Sequence, residues 1–104
     1  MVDLKELDKL QMLIESEPLM WDCCKRSSIY DGQQIVFRHP RDGHIISDVC
    51  CHGLSEGGLQ GLLEQRLLIP SGEEKQGRLT AETVFNRWRA YFDEEVITYG
   101  KETS

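Results

Sequence analysis

The chain has 104 residues, of which 39% are hydrophobic, and its 18 acidic and 12 basic side chains give a net charge of −6. This length supports one domain with a modest core, and the acidic balance disfavours direct binding to a nucleic-acid phosphate backbone. The apolar runs are too short for a membrane span, and no basic-then-apolar leader opens the chain. We therefore expect one cytoplasmic domain over residues 1–97, with a frayed tail over 98–104.

The sequence opens with the pattern of an amphipathic helix. Asp3 and Glu6 have the spacing of a capping box, and the pattern is interrupted at Pro18. The apolar residues between these signals recur at helical spacing, namely Leu4, Leu7, Leu10, Leu13 and Ile14. Residues 19–28 show neither a helical nor a strand period, so a short helix, an irregular link and a strand all stay open there.

A β-hairpin is predicted from Gln33 to His52, because the period changes to two on both sides of "HPRDGH". A loop of Arg41, Asp42 and Gly43, with Gly43 at positive φ, gives one coherent apolar face, whereas a two-residue Asp-Gly turn does not. We prefer the three-residue loop. It places one set on the apolar face (Ile35, Phe37, Ile45, Val49 and Cys51) and another on the opposite face (His44, Asp48, Cys50 and His52).

The second half predicts two further helices. Ser55 can cap the first, and its glycine-softened apolar stripe is Leu59, Leu62, Leu63 and Leu67. Residues 70–77, "PSGEEKQG", are typical of a polar loop. Thr80 can cap the last helix, whose buried stripe is Ala81, Val84, Phe85, Trp88, Phe92 and Val96. The fold class is therefore α+β, with a β-hairpin or small antiparallel sheet packed against two or three helices.

The segment "DVCCH" raises the question of a chemical site. Cys50 and His52 point to the same side of a strand, at a spacing that one zinc ion can bridge. Further ligands could come from Asp48, His44, Cys23 or Cys24. The same thiol beside a histidine is also the minimal arrangement for a cysteine nucleophile. The alternative is a strand end, with Cys51 in the core and Cys50 half-buried.

Three other features have a functional and a structural interpretation. The glycines of "GLSEGGLQG" suit an anion site or a tight turn. The basic hairpin tip suits nucleic acid, a solvated turn or contact with the acidic helices of a second copy. Its residues are Arg38, His39, Arg41 and His44. In the last helix, Tyr91 lies off the main apolar stripe, and this favours it as an exposed anchor in a protein interface.

The second half also resembles a group of small uncharacterised proteins of bacteriophages and prophages. The resemblance rests on "DVCCH" (48–52), "GLLEQ" (61–65) and "GRLTAETVFNRW" (77–88). It implies a genomic context and no particular chemistry. A small acidic phage protein is also similar in character to anti-CRISPR proteins, which occupy the basic nucleic-acid channels of their targets.

From these observations we predict a non-catalytic, acidic interaction protein of a phage or mobile element. The expected partner is a basic host protein that processes nucleic acid, such as a CRISPR effector, and the expected contact residues are Glu15, Glu17, Tyr91, Asp93, Glu94 and Glu95. No cofactor, direct nucleic-acid contact or membrane contact is predicted, and a homodimer stays open. The alternative is a small metal-binding or thiol-dependent protein that uses Cys50 and His52.

Overall fold

The computed structural model describes residues 2–69 and 71–94, which form three α-helices and five strands. The helices are α1 (Lys5–Glu15), α2 (Pro18–Trp21) and α3 (Ala81–Tyr91). The strands are β1 (Cys24–Ile29), β2 (Gly32–Arg38), β3 (Ile45–Cys51), β4 (Leu63–Ile69) and β5 (Gly72–Leu79). Each strand pairs antiparallel with the next along the chain. The predicted α+β fold, with a small antiparallel sheet and helices, is confirmed.

The first helix forms where its apolar period predicts, and Leu7, Leu10 and Ile14 are its buried residues. The Asp3 carboxylate accepts a hydrogen bond from the Lys5 amide at 2.9 Å. Glu6 does not complete a capping box on its own helix. Its carboxylate instead accepts a hydrogen bond from the Ala81 amide of α3.

Helices α1 and α3 pack side by side and run parallel. Lys9 forms an ion pair with Glu82, and Glu17, just beyond α1, forms one with Arg89 at 3.2 Å. Early residues of one helix therefore contact early residues of the other, and late residues contact late ones. The C-terminal ends of both helices consequently lie at the same end of the helical layer.

The β2–β3 hairpin has the predicted register over most of its length but not the predicted loop. The His39 amide donates to the His44 carbonyl at 2.9 Å, so the loop has four residues, Pro40 to Gly43, with Gly43 at φ +78°. A β-bulge between Phe37 and Arg38 shifts the pairing by one residue. Loop and bulge offset each other, and Phe37 lies opposite Ser47 as the predicted register requires.

The bulge changes the assignment of one apolar residue. Ile45 pairs with Arg38 and is half-buried, and the neighbouring Ile46 belongs to the core instead. The predicted apolar face is thus wrong at Ile45. Its other members are fully buried: Ile35, Phe37, Val49 and Cys51.

Two predicted elements of the second half are wrong. The predicted helix after Ser55 is a single turn of 310 helix, Gly58–Gln60, followed by β4. Gly57 and Gly61 flank that turn at positive φ and end it on both sides. The polar segment 70–77 is not a loop over its whole length, because β5 begins at Gly72. In the segment whose structure stayed open, α2 and β1 form.

The core lies between the helices and one face of the sheet. Trp88 of α3 and Phe37 of β2 are both fully buried, with ring centroids 5.4 Å apart. Within α3, Ala81, Val84 and Trp88 are buried as predicted, and Phe85 and Phe92 are half-buried against the core. Val96 and the predicted tail lie outside the described residues.

Candidate functional site

Of the predicted pair, Cys50 lies in β3 and His52 directly follows the strand, and the two side chains meet different neighbours. The Cys50 thiol points towards Glu64 of β4, with Sγ 3.9 Å from Oε1. The His52 ring packs on Tyr30 in the β1–β2 turn, with ring centroids 5.0 Å apart. Because β2 and β4 flank β3 on opposite sides, these contacts turn the two side chains away from each other.

The surroundings of Cys50 favour the protonated thiol. Burial, and after it the charges of Glu64 and Asp48, raises the pKa of Cys50 to about 12. A thiol must lose its proton to act as a nucleophile or as a zinc ligand. At neutral pH Cys50 is therefore a weak donor for either chemistry, which fits its strand-end interpretation. Cys51 is fully buried in the core.

The candidate third ligands of a metal ion have other partners or lie away from Cys50 and His52. Asp48 binds the Arg66 guanidinium, with Nε 2.9 Å from Oδ2. His44 lies in the hairpin loop, where its Nδ1 is 2.5 Å from the Asp42 carboxylate. Cys23 and Cys24 lie at the start of β1, opposite Phe37 and not opposite Cys50. Within residues 2–69 and 71–94, no three histidine, cysteine or acidic side chains are grouped so that they could hold a metal ion.

The basic hairpin tip is tied back by its own loop. The Arg38 guanidinium donates to the Gly43 carbonyl at 2.9 Å, and the His39 and His44 rings stack with centroids 5.2 Å apart. The loop carboxylate of Asp42 contacts His44. These contacts within the loop favour the structured-turn interpretation of the tip.

The predicted acidic contact residues converge at one end of the helical layer. Glu15 and Glu17 follow one another at the end of α1, and Asp93 and Glu94 lie just beyond α3. Because α1 and α3 are parallel, both acidic pairs are at the same end, which we call the acidic end (Glu15, Glu17, Asp93 and Glu94). Glu15, Asp93 and Glu94 are exposed, and Glu17 is half-buried beside Arg89. Glu95 lies outside the described residues.

Tyr91 is half-buried and not fully exposed. It packs against the core and lines a groove of about 250 Å³ beside β4 and β5. Arg87 lines the same groove and donates to the Gln65 side chain at 3.2 Å. Tyr91 is thus accessible from the groove but does not project from the surface.

The sequence did not reveal an apolar cluster at the opposite end of the sheet. Tyr30, Leu54 and Leu59 are large hydrophobic residues, and all three are exposed. Leu59 belonged to a predicted buried stripe, Leu54 lay in the glycine-rich segment, and no element was predicted at Tyr30. We call this surface the apolar end (Tyr30, Leu54 and Leu59). The sequence did contain a signal of exposed leucines, because a short glycine-rich turn is too small to bury every leucine within it.

In the described part of the chain, no helix is long and apolar enough to cross a membrane. Compared with known proteins, the chain matches no protein family, no curated protein and no solved structure.

Proposed function

We propose that this is a non-catalytic, acidic interaction protein of a phage or mobile element. Its partner is a basic host protein that processes nucleic acid, such as a CRISPR effector, which it binds and inhibits in the host cytoplasm. The observation that carries the proposal is the convergence of acidic residues at the C-terminal ends of two parallel helices. The resemblance of the second half to small phage and prophage proteins agrees with this context.

The acidic end gains further negative potential from the helices themselves. The last carbonyl groups of a helix are not used in intrahelical hydrogen bonds, and the helix dipole places partial negative charge there. In α1 the last turn contains no basic residue, so Glu15 adds to that charge. In α3 the cation of the last turn is Arg89, which is paired with Glu17.

Such a surface promotes association with a basic partner and makes it dependent on salt. Complementary potentials increase the association rate, and exposed charges further apart than about 8 Å are screened at physiological ionic strength. The partner's affinity should therefore fall as salt concentration rises. The overall charge of −6 acts in the same direction.

The test begins with a pull-down from host lysate at low and high salt, and the main salt-sensitive prey is then purified. Its affinity is measured for the wild type and for Glu15→Gln/Asp93→Asn, at several salt concentrations. The matched control is Asp8→Asn/Glu82→Gln, which removes the same charge from the same two helices near their N-terminal ends. We expect the first variant to bind more weakly, with a flatter salt dependence, and the control to keep most of its affinity.

Two results would contradict the proposal. If both double variants lose affinity equally, net charge and not the acidic end determines binding. If affinity is unchanged by salt and by Glu15→Gln/Asp93→Asn, the electrostatic basis of the proposed function is wrong.

A further inference from the structure

The apolar end is the most exposed group of large hydrophobic side chains that can be assigned to one place in the described residues. Tyr30, Leu54 and Leu59 are 78%, 82% and 76% exposed. Scattered apolar residues are normal on a surface, but a group of them marks an interaction site. We treat the three as one group because Tyr30 packs on the buried His52 ring, the Leu54 amide bonds to that ring, and Leu59 follows Gly58, which packs on the His52 carbonyl.

His52 holds the three residues in place. Its ring packs on Tyr30, and its Nδ1 accepts a hydrogen bond from the Leu54 amide at 3.1 Å. The Ser55 hydroxyl bonds to both the amide and the carbonyl of His52, at 3.0 and 2.9 Å. Gly58, directly before Leu59, packs so closely that a Cβ there would lie 1.9 Å from the His52 carbonyl oxygen. The surface is therefore preorganised, which lowers the entropic cost of binding.

The backbone at Tyr30 supports a role outside folding. Tyr30 has φ +51°, a left-handed conformation that favours glycine or asparagine in a tight turn. A large aromatic residue at this position is unfavourable for the turn itself. Strained residues of this kind are found preferentially at binding sites, and tyrosine is enriched among the residues that dominate binding energy.

Carboxylates border the apolar end. Asp31 follows Tyr30, and its carboxylate accepts a hydrogen bond from the Gly53 amide at 2.8 Å. That hydrogen bond is the main cause that lowers the pKa of Asp31, so the side chain is ionised at neutral pH. Glu56 lies between Leu54 and Leu59 in the sequence and is exposed, and it forms a long ion pair with Arg78, with 3.9 Å between Nε and Oε1. A matching partner must therefore be apolar at its centre and basic around it.

We infer that the apolar end is the docking surface for an amphipathic segment of the basic partner, with leucine-like side chains on Tyr30, Leu54 and Leu59 and lysine or arginine beside Asp31 and Glu56. The inference rests on the proposed function, since it assigns a contact surface to the same partner. The acidic end attracts the partner over distance, and the apolar end supplies the contacts that keep it bound.

The inference is tested with two fluorescein-labelled synthetic peptides. One is an amphipathic helix-forming peptide of leucine and lysine, and the other carries glutamate in place of every lysine. Binding is measured by fluorescence anisotropy to the wild type and to Tyr30→Asn/Leu54→Ser, in which asparagine suits the left-handed backbone. The matched control is Met12→Ser/Leu19→Ser, because Met12 and Leu19 are 70% and 69% exposed but lie elsewhere.

We expect the leucine–lysine peptide to bind the wild type and the leucine–glutamate peptide not to bind. Tyr30→Asn/Leu54→Ser should weaken binding by about tenfold or more, as removal of a dominant contact does, and the control should stay within about twofold. Circular dichroism confirms that each variant is folded. Asp31→Asn should weaken binding less than the apolar changes and reduce its salt dependence.

Three outcomes would overturn the inference, and each has a different consequence for the proposed function. If only Glu15→Gln/Asp93→Asn weakens peptide binding, the docking surface is elsewhere and the proposed function stands. If both peptides bind equally well, the assigned partner chemistry is wrong, and the preference for a basic partner fails with it. If the wild type forms a dimer that Tyr30→Asn/Leu54→Ser dissociates, and no peptide binds, then a second copy covers the apolar end, and the proposed function stands on the acidic end alone.

Discussion

The Glu6 carboxylate of the first helix accepts a hydrogen bond at 2.9 Å from the amide of Ala81, the first residue of the last helix. The first amides of a helix have no partner within it, and Thr80, at the N-cap position of α3, makes no side-chain capping bond. Glu6 therefore caps α3 from a different part of the chain, with its charge at the positive end of the helix dipole.

Removal of this cap should lower stability. Loss of a capping side chain costs about 1 kcal/mol, so we expect Glu6→Ala to reduce the free energy of unfolding by that amount. Glu6→Gln keeps an acceptor oxygen but not the charge, and about half of the loss is expected. Urea unfolding measures both. Glu15→Ala, on the exposed surface of the same helix, is the control, and an equal loss there would show that Glu6 has no special role.

The buried hydroxyl of Ser47 gives a second prediction. It donates to the Arg66 carbonyl at 2.6 Å and accepts from the Trp88 indole at 2.9 Å. Ser47→Ala would leave the buried indole N–H without an acceptor, which should lower the free energy of unfolding by about 1–3 kcal/mol. The loss is expected even though a buried alanine carries no polar group of its own. The control Ser27→Ala lies on the exposed part of β1 and should change stability by less than about 0.5 kcal/mol.

A double-mutant cycle separates this hydrogen bond from the packing of the ring. Trp88→Phe removes the indole N–H, so Ser47→Ala should cost less in the Trp88→Phe background than in the wild type. The difference should be on the order of 1 kcal/mol. Additive losses would show that Ser47 and Trp88 do not interact energetically.

The protonated thiol of Cys50 predicts a loss of stability at high pH. Its folded-state pKa of about 12 lies above the ordinary thiol value of 9.0, so the unfolded chain releases this proton first. The contribution of the protonated Cys50 thiol to stability is complete below pH 9 and is lost as the pH rises from 9 towards 12. At pH 10 the loss is about 1.4 kcal/mol at most, one pKa unit above the unfolded value.

Cys50→Ala isolates this contribution from the other groups that titrate in the same range. Between pH 8 and pH 10, the urea midpoint should fall further for the wild type than for Cys50→Ala. Cys24 is half-buried, and its pKa is also raised to about 12, mainly by desolvation, so Cys24→Ala should act in the same way. If the wild type and both variants lose the same stability between pH 8 and pH 10, then both thiols titrate normally in the folded protein.

Two glycines beside His52 should differ sharply in their response to alanine. A Cβ at Gly58 meets the His52 carbonyl oxygen at 1.9 Å, and this backbone atom cannot move aside. A Cβ at Gly53 meets the flexible Asp31 carboxylate at 2.8 Å. We expect Gly58→Ala to cost about 2–4 kcal/mol in urea unfolding and Gly53→Ala about 1 kcal/mol or less. Similar values for both would mean that the turn rearranges around the new methyl group.

The sequence predicted well those elements in which burial and local signals agree. The apolar period of α1 and the alternation in β2 and β3 each reflect a surface with one buried side, and this is what periodicity detects. The hairpin register was right although the loop was one residue longer than predicted, because the bulge before Arg38 adds a compensating residue. No sequence signal marks that bulge.

The β4–β5 pair shows why the remaining elements were not predicted. Leu59, Leu62, Leu63 and Leu67 have helical spacing, but the positive φ of Gly61 separates Leu59 from Leu62 and the strand that follows it. On β4 the buried position between Leu63 and Leu67 is Gln65, which hides the alternation. Before Leu79, every residue of β5 is exposed except the half-buried Gly77, and none is a large apolar residue. This is an edge strand that forms by backbone pairing with β4.

The candidate site was predicted only in part, for a related reason. The acidic residues could be named from composition, but their convergence depends on the parallel packing of α1 and α3, which no local pattern encodes. The apolar end depends on tertiary structure in the same way, since the β1–β2 turn meets the β3–β4 connection through two long-range contacts, Tyr30 with His52 and Asp31 with Gly53.

The cap of α3 by Glu6 also bears on how the chain folds as it is synthesised. Each strand pairs with its neighbour in sequence, so the sheet can begin to form from short-range contacts while the ribosome is still translating. The first helix precedes the sheet in the chain, yet the amide that Glu6 caps, that of Ala81, is translated only after all five strands. The contact between α1 and α3 can therefore form only after every strand of the sheet has been translated, and until then the apolar face of α1 lacks the cover of α3.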